Sequence, residues 1–224
     1  MKIQIFSDIH CEHMADLGRS FVDGLDPTGV DVLVLAGDIC TVQDGLLNVL
    51  TWFCAKFKRV VFCAGNHEYY GSDRGKVNGV LSKAQQRNAN LHLFNRDVLV
   101  LEGKRFLGAT MWFPPTKASF LLAPAWSDFS SIQGLAKWVY EANRMDVAYL
   151  RREVQEGDIV ITHYLPSWLS VHPRFAMEPS NCFFVCPVED LITERKPALW
   201  VHGHTHCSMD YKLGDYFLKI KMRS

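Results

Sequence analysis

The sequence has no excess of charge of either sign and no long apolar run. Its 224 residues include 24 Lys and Arg against 24 Asp and Glu, so the formal net charge is zero. A protein that binds mainly by neutralising phosphate backbones is expected to be basic, so bulk nucleic-acid binding is not expected. The longest apolar runs, such as Val32–Ala36, are far shorter than the roughly 20 residues of a membrane-spanning helix. We therefore expect no membrane partner.

We also expect no secretory signal, because a strand-like run, Ile3–Phe6, follows the first two residues. The seven cysteines are odd in number and scattered, which argues against a disulfide framework. Both features favour a cytoplasmic location with reduced cysteines. No repeat and no linker rich in Pro, Gly or Ser divides the chain, so we predict a single domain over residues 1–224. The oligomeric state stays open.

Several common catalytic templates are absent as well. The chain has no Gly-x-Ser-x-Gly elbow and no Gly-x4-Gly-Lys-Ser/Thr phosphate loop. No cysteine is followed by an arginine six residues later, which excludes a thiol-based phosphatase with a Cys-x5-Arg motif. Residues 67–71 begin His-Glu but lack the second histidine of a zincin motif.

What the sequence does contain is an alternation of short apolar runs with helical patterns. We predict buried strands at Ile3–Phe6, Val32–Ala36, Val60–Cys63, Ile159–Thr162 and Leu199–His202. We predict helices over Ala15–Leu25, Asp44–Phe57, Asp73–Arg87 and Leu135–Val154. This alternation indicates βαβ units and a largely parallel sheet covered by helices.

Four further segments depart from that alternation. Asp97–Trp112 and Asp210–Met222 are each expected to form a β-hairpin, which predicts mixed sheets. Pro114–Ser131 and Pro166–Pro187 contain several prolines and are predicted to be irregular. Loops this long in a compact domain are usually functional or disordered, and we expect these two to contribute to a site by discriminating between substrates.

Polar side chains follow five of the predicted strands. These side chains are Asp8 and His10, Asp38, Asn66 and His67, His163, and His204 and His206. Ligands of open α/β sheets bind just beyond the carboxyl ends of strands. Residues two apart on an extended segment point the same way, so the Asp8–His10 and His204–His206 pairs can each approach one ion.

The chemistry of these side chains points to a divalent transition metal. Carboxylate, imidazole and carboxamide ligands together suit Mn, with Fe, Zn, Co or Ni as alternatives, and are too rich in nitrogen for Ca or Mg. Eight candidate side chains exceed what one ion needs. Two divalent metal ions, about 3.5–4 Å apart and bridged by Asp38, would accommodate them.

The same residues, taken in chain order, resemble the motif set of the calcineurin-like metallophosphoesterases. The matching motifs are Asp8-x-His10, Gly37-Asp38, Gly65-Asn66-His67-Glu68, His163 and Gly203-His204-Thr205-His206. The stretch from His163 to Arg174 resembles the small prokaryotic and phage members. The resemblance implies an α/β fold, a four-layer αββα sandwich of two mixed β-sheets flanked by helices.

The resemblance also implies a role for each matching residue. Asp8, His10 and His206 would hold one ion, Asn66, His163 and His204 the other, and Asp38 would bridge both. His67 would be catalytic, contacting phosphate or protonating the leaving group. The implied activity is that of a metal-dependent phosphoric ester hydrolase, in which a metal-bridging hydroxide attacks a phosphomonoester or a phosphodiester.

Four residues outside the metal set are candidate substrate contacts. His172 and Arg174 lie in the long segment after His163, Tyr70 follows the Asn-His motif, and Trp112 precedes the proline-rich insertion. Packing in the core is the alternative interpretation for Trp112. Two other functions stay open, a non-catalytic metal-binding scaffold on the same fold and a small nuclease.

Overall fold

The computed structural model describes residues 1–213 and 216–220. Within these ranges the strands are β1 (Ile3–Phe6), β2 (Val32–Ala36), β3 (Val60–Cys63), β4 (Leu91–Leu93), β5 (Asp97–Leu101), β6 (Lys104–Gly108), β7 (Ile159–Ile161), β8 (Leu199–Val201), β9 (Met209–Leu213) and β10 (Tyr216–Ile220). The α-helices there are α1 (Arg19–Gly24), α2 (Leu46–Lys56), α3 (Arg74–Arg87), α4 (Lys117–Leu122), α5 (Ser127–Ser131), α6 (Val139–Glu153) and α7 (Glu189–Arg195). The five predicted strands and the four predicted helices are all present. β1, β2 and β3 have the predicted ends, and the other predicted elements differ from the predictions by one to four residues at an end.

The strands form two sheets. β1 to β4 pair in sequential order and are parallel throughout. The second sheet has the order β5-β6-β7-β8-β10-β9, and only its outer pairs, β5–β6 and β10–β9, are antiparallel. The expectation of two mixed sheets is therefore wrong for the first sheet. Its strands are joined by helical crossovers, which make neighbours parallel, whereas both hairpins belong to the second sheet.

The β2 strand shows how the two sheets pack. Its five residues are fully buried. Val32, Val34 and Ala36 share one hydrophobic cluster with residues of β6 and β7, whereas Leu33 and Leu35 belong to the cluster that contains α2 and α3. Successive side chains of a strand point to opposite faces, so one apolar strand serves two cores.

A third cluster completes the layers, because it packs α6 and α7 against the outer face of the second sheet. The layers therefore run from α2 and α3 through the two sheets to α6 and α7. This order is the four-layer sandwich that the resemblance implied.

The hairpin expected over Asp97–Trp112 is confirmed as β5–β6. The hairpin expected over Asp210–Met222 is confirmed in the pairing of β9 with β10. Residues 214–215 and Met222 lie outside the described residues. The short β4 strand and the α7 helix were not predicted, because three and seven residues are too few to display a reliable period.

The two proline-rich segments contain more local order than expected. In the first, Thr116 and Ser119 form a capping box that starts α4, and α5 follows after a 3₁₀ turn. The second segment contains 3₁₀ turns at residues 168–170, 173–175 and 179–183. The prediction of irregular structure is therefore wrong for the first segment, where the prolines precede or flank the short helices without interrupting them.

The seven cysteines all lie in the described part of the chain, and none of them forms a disulfide. Among the described helices, none combines the length and the hydropathy needed to cross a bilayer.

Candidate functional site

The site lies beyond the carboxyl ends of β1, β2, β3, β7 and β8, where the structure brings the predicted polar side chains together. In its first group, Asp8, His10, Asp38 and His206 each place one donor atom within 4.8 Å of the others. Nε2 of His10 and Nε2 of His206 are 3.2 Å apart. Asp8 is held from behind, because its two carboxylate oxygens accept from the backbone N–H of His204 at 2.9 and 3.1 Å.

A second group shares Asp38 with the first. Donor atoms of Asp38, His163 and His204 also lie within 4.8 Å of one another. Nε2 of His163 is 3.1 Å from Oδ1 of Asn66 and 3.2 Å from Nδ1 of His204. The two groups have the composition of the two ligand sets that the resemblance implied, with Asp38 common to both.

The histidines of the second group are oriented by backbone carbonyls. Nδ1 of His163 is 2.9 Å from the carbonyl oxygen of Ala36, and Nε2 of His204 is 3.2 Å from that of Phe183. A carbonyl oxygen can only accept, so in each ring this nitrogen carries the hydrogen. In His204 the other nitrogen, Nδ1, then presents its lone pair to the site, as in metal-binding histidines. Nε2 of His163 faces the acceptor atoms Oδ1 of Asn66, Nδ1 of His204 and Oδ2 of Asp38, so without metal it carries a hydrogen that a bound cation would replace.

Five of the grouped residues have left-handed backbone conformations. The φ angles are 52° for Asp8, 50° for His10, 54° for Asp38, 72° for His204 and 51° for His206. The expectation that the two pairs lie on extended segments is therefore wrong. A non-glycine residue in this region costs about 1 kcal/mol or more, and such strain is concentrated at functional sites.

Two glycines allow the strand ends to approach this closely. A Cβ on Gly65 would overlap the carboxylate of Asp38 and the ring of His163. A Cβ on Gly37, whose φ is 85°, would overlap the same imidazole. Any larger residue at either position would push the two sheets apart at the site.

Glu68 holds the loop that carries Asp38. Its buried carboxylate accepts from the backbone N–H groups of Asp38 at 3.0 Å, Ile39 at 2.8 Å, Cys40 at 3.3 Å and Gly65 at 2.6 Å. Burial, reinforced by the charge of Asp38, raises the pKa of Glu68 to about 7. These contacts give Glu68 a structural role, because it holds the loop and does not face the donor groups.

The charges of the second group are strongly interdependent. Burial opposes ionisation of Asp38, but the neighbouring His163 outweighs it and lowers the pKa of this carboxyl group. Burial likewise disfavours protonation of His163, yet Asp38 outweighs it and raises the pKa of His163 to about 9. Burial and the charge of His163 lower the pKa of His204 far below its usual value. In the protein without metal, the His163 ring is therefore the positively charged imidazolium, with a hydrogen on each nitrogen.

The donor set fits divalent cations. Oδ2 of Asp38 is buried and has no hydrogen bond of regular geometry among the described residues, and the protonated ring of His163 lies 3.3 Å from it. Two pairs of imidazole nitrogens, one in each group, converge to 3.2 Å, so a proton or a cation must lie between them to avoid repulsion of lone pairs. Carboxylate, carboxamide and imidazole donors of this kind match borderline divalent metals.

His67 lies beside the two groups and lines the adjoining cavity. Its backbone N–H donates to Oδ1 of Asp38 at 2.9 Å, and its ring stacks on Tyr70 with centroids 4.1 Å apart. Nδ1 of His67 is 3.0 Å from Oε1 of Glu12. Burial lowers the pKa of His67, but the hydrogen bond to Glu12 outweighs it, and the pKa is raised overall.

Asp128 is a site residue that the sequence analysis missed. It lies in α5 and is 1% exposed. Its Oδ1 accepts from Nδ2 of Asn66 at 3.1 Å and from the hydroxyl of Tyr70 at 2.6 Å. Because the amide nitrogen of Asn66 is engaged in this way, its oxygen faces His163. The one sequence signal was the long insertion itself, which was expected to contribute to a site.

A cavity of about 480 Å³ opens from the donor groups. Three of the four predicted substrate contacts, Tyr70, His172 and Arg174, line it. Trp126 and Phe184 form part of its apolar wall. The cavity is therefore lined both by members of the donor groups and by aromatic side chains, and it is large enough for a small organic ligand.

The fourth predicted substrate contact, Trp112, does not line this cavity. It is 2% exposed, and its ring lies edge-on to Trp138 and Tyr69 at centroid distances of 5.2 and 5.5 Å. The substrate interpretation of Trp112 is therefore wrong, and core packing is what the structure shows. A large aromatic side chain next to an insertion has the same sequence signature in either role.

Comparisons with known proteins agree with this arrangement. A family model described as calcineurin-like phosphoesterase matches residues 1–208. An uncharacterized protein of Acanthamoeba polyphaga mimivirus is 22% identical over 237 residues, which cover 91% of this chain and 84% of that protein.

Solved structures show the same fold. Phosphopantetheinyl hydrolase (PptH) from Mycobacterium tuberculosis is similar with a TM-score of 0.80 at 14% identity, over 100% of this chain and 89% of that one. Protein TT1561 of Thermus thermophilus is similar with a TM-score of 0.62 at 14% identity, over 97% and 87% of the two chains. At these identities the likeness concerns the fold alone.

Proposed function

The chain belongs to the calcineurin-like phosphoesterase family, and from this premise we propose that it is a metal-dependent hydrolase of phosphoric esters. The observation that carries the proposal is the pair of donor groups that share Asp38. A site for a single ion would not need two convergent groups on either side of one buried carboxylate. The left-handed conformation of Asp38 and four of its neighbours gives further support, since strain of this kind is kept where function requires it.

We assign the two groups to two divalent cations. The ligands would be Asp8, His10, Asp38 and His206 for one ion, and Asp38, Asn66, His163 and His204 for the other. Mn²⁺ is our first choice, with Fe, Zn, Co and Ni as alternatives, because the donors mix oxygen and nitrogen. When bound at such a site, divalent cations lower the pKa of water and neutralise charge on phosphoryl oxygens.

His67 is proposed to act on the leaving group. Its Nδ1 is engaged by Glu12, so Nε2 is the ring nitrogen that can face an ester in the cavity. From there it would stabilise the charge that develops on the leaving oxygen, or donate a proton to it. The raised pKa of His67 favours the protonated ring that this role needs.

The cavity supports an organic ester as substrate. Arg174 and His172 offer positive charge or hydrogen bonds to an anionic group, and Trp126 and Phe184 offer apolar surface to the group that leaves. Monoesters and diesters both meet this description, and we propose the class that includes both.

Metal add-back tests the proposal. The protein is stripped with a chelator and restored with Mn²⁺, and turnover of 4-nitrophenyl phosphate and bis(4-nitrophenyl) phosphate is compared. We expect hydrolysis that requires metal. Asp38→Ala should lose both metal and turnover, whereas His67→Ala should keep its metal and lose about 100-fold or more in kcat.

His92→Ala is the matched control, because His92 lies in β4 and belongs neither to the donor groups nor to the cavity lining. Full activity of His67→Ala would refute the role of that residue. Two bound metals without turnover of either ester would favour the non-catalytic scaffold.

A further inference from the structure

Glu12 links two histidines of the site through one oxygen. It lies in the 3₁₀ turn Cys11–His13, which directly follows His10 of the first donor group. Its Oε1 is 3.1 Å from Nδ1 of His10 and 3.0 Å from Nδ1 of His67. The Glu12 side chain is only 5% exposed. A carboxylate this far from water is unfavourable unless hydrogen bonds or opposite charges compensate it.

The direction of these hydrogen bonds follows from the chemistry of the carboxylate. Both Nδ1 atoms approach the same oxygen, Oε1. A glutamate carboxylate is ionised at neutral pH and only accepts, so Nδ1 of both rings carries the hydrogen. His10 then presents the lone pair of Nε2 to its donor group, and His67 presents Nε2 to the cavity.

The same three side chains place donor atoms within 4.8 Å of one another and could also be considered for a metal ion. The two hydrogen bonds from His10 and His67 to Oε1 of Glu12 account for the short distances between these three side chains without an ion. It also leaves the Nε2 atom of His10 available to the first donor group, where it lies 3.2 Å from that of His206.

Other contacts of His67 do not decide which ring nitrogen faces the cavity. The backbone N–H bond to Asp38 fixes the main chain, and stacking on Tyr70 at an interplanar angle of 20° fixes the plane of the ring. Rotation by 180° about χ2 keeps that plane but exchanges Nδ1 with Cδ2 and Nε2 with Cε1. Among the described contacts of His67, the bond to Glu12 is the one that distinguishes the two orientations.

We propose that Glu12 is a positioning residue for ester hydrolysis, which holds His67 with Nε2 towards the leaving group and couples it to His10. This inference rests on the proposed function. It assigns no contact between Glu12 and substrate. It predicts that loss of the carboxylate slows the step in which His67 takes part and has a smaller effect on substrate binding.

Glu12→Gln tests the proposal, because glutamine has the same shape but no charge, and its amide nitrogen, a donor, can take the place of the acceptor oxygen that both rings share. Its kcat is compared with that of wild type for phenyl phosphate, a poor leaving group, and 2,4-dinitrophenyl phosphate, a good one. The assays use a saturating concentration of Mn²⁺, because Glu12 also orients the proposed ligand His10. We expect kcat to fall about 100-fold for the poor leaving group and less than about threefold for the good one, with unchanged metal content and KM. In a His67→Ala background, Glu12→Gln should cause no further loss for phenyl phosphate.

Two further variants serve as a graded comparison and as a control. Glu12→Asp keeps the charge but shortens the reach, and should show the same dependence on leaving group with a smaller loss. Glu156→Gln, at an exposed position on the loop before β7, is the control for removal of a surface carboxylate. Equal losses for both leaving groups, loss of metal, or wild-type kinetics in Glu12→Gln would each overturn the proposal.

A second readout separates this inference from the proposed function. The ¹⁵N chemical shifts of the His67 imidazole report which nitrogen carries hydrogen, and they need no turnover. At a pH high enough for the ring to be neutral, we expect hydrogen on Nδ1 in wild type and a mixture of tautomers in Glu12→Gln. If wild type hydrolysed no ester, the proposed function would fail, whereas unchanged shifts in Glu12→Gln would refute the positioning role independently.

Discussion

Nε2 of His163 lies 3.3 Å from Oδ2 of Asp38, and both side chains are almost completely excluded from solvent. The two residues follow β7 and β2, which belong to different sheets. The contact therefore joins the sheets at the edge where the donor atoms converge. It also couples the charge of the shared carboxylate to the protonation of a proposed metal ligand.

That coupling predicts that metal binding expels a proton. Asp38 outweighs burial and raises the pKa of His163 to about 9, so the imidazole is protonated at pH 7 in the metal-free protein. An imidazole must be neutral to bind a metal ion, so Mn²⁺ binding at pH 7 should release about one proton from His163. Affinity should rise roughly tenfold per pH unit up to about pH 9. Calorimetry in buffers of different ionisation enthalpy measures the proton count, and binding without proton release would contradict this account.

A second prediction concerns the closest approach of the two sheets. Gly65→Ala would place a Cβ against the carboxylate of Asp38 and the ring of His163. We expect metal affinity to fall at least about tenfold and the free energy of unfolding to fall by about 1–3 kcal/mol, because backbone and ligands must shift. Metal titration and urea unfolding provide the measurements.

Gly79→Ala is the matched control for that substitution. Gly79 is exposed within α3, and a Cβ there would meet no atom within 4 Å. The change should raise the free energy of unfolding by about 0.5–1 kcal/mol through helix propensity and leave metal binding unaltered. Wild-type metal affinity in Gly65→Ala would show that the strand ends tolerate greater separation.

A third prediction concerns the four backbone N–H groups that donate to Glu68. Glu68→Ala would leave these buried donors without their acceptor, and each such loss costs about 1–3 kcal/mol unless water enters. We expect a total loss of about 3–5 kcal/mol in the free energy of unfolding, measured by urea denaturation. Glu156→Ala, at an exposed position, should stay within about 0.5 kcal/mol of wild type. A similarly small effect of Glu68→Ala would rule out its role in holding the Asp38 loop.

A fourth prediction concerns the mouth of the cavity. Arg174 lines the cavity but belongs to neither donor group. Arg174→Ala should raise KM for 4-nitrophenyl phosphate about five- to tenfold and leave kcat and metal content unchanged, as expected when a contact made equally in ground and transition states is lost. Added salt should reduce the difference from wild type, because the charge is exposed and easily screened.

Arg87→Ala, at the exposed end of α3, controls for the loss of a surface cation. A drop in kcat without a change in KM would assign Arg174 to the reacting centre and contradict its proposed role in binding.

Much of the candidate site could be predicted because each element signals itself locally. An apolar run such as Val32–Ala36 is strand-sized, and the Gly37-Asp38 pair after it marks the end of the strand. The same pattern recurs along the chain, so the polar positions could be assigned to one sheet edge. The core position of Trp112 could not be predicted from local sequence, because it depends on packing against rings distant in the chain, such as that of Trp138.

The sequence by itself determined which side chains could serve the site, since strand ends and residue types are local properties. Only the tertiary structure decided how those side chains are held. Glu12 meets His67, and Asp128 meets Asn66, through packing between segments far apart in the chain. Such contacts depend on the relative placement of two sheets and an insertion, for which the hydrophobic period carries no information. The orientation of each imidazole, and with it the chemistry of the site, follows from those long-range hydrogen bonds.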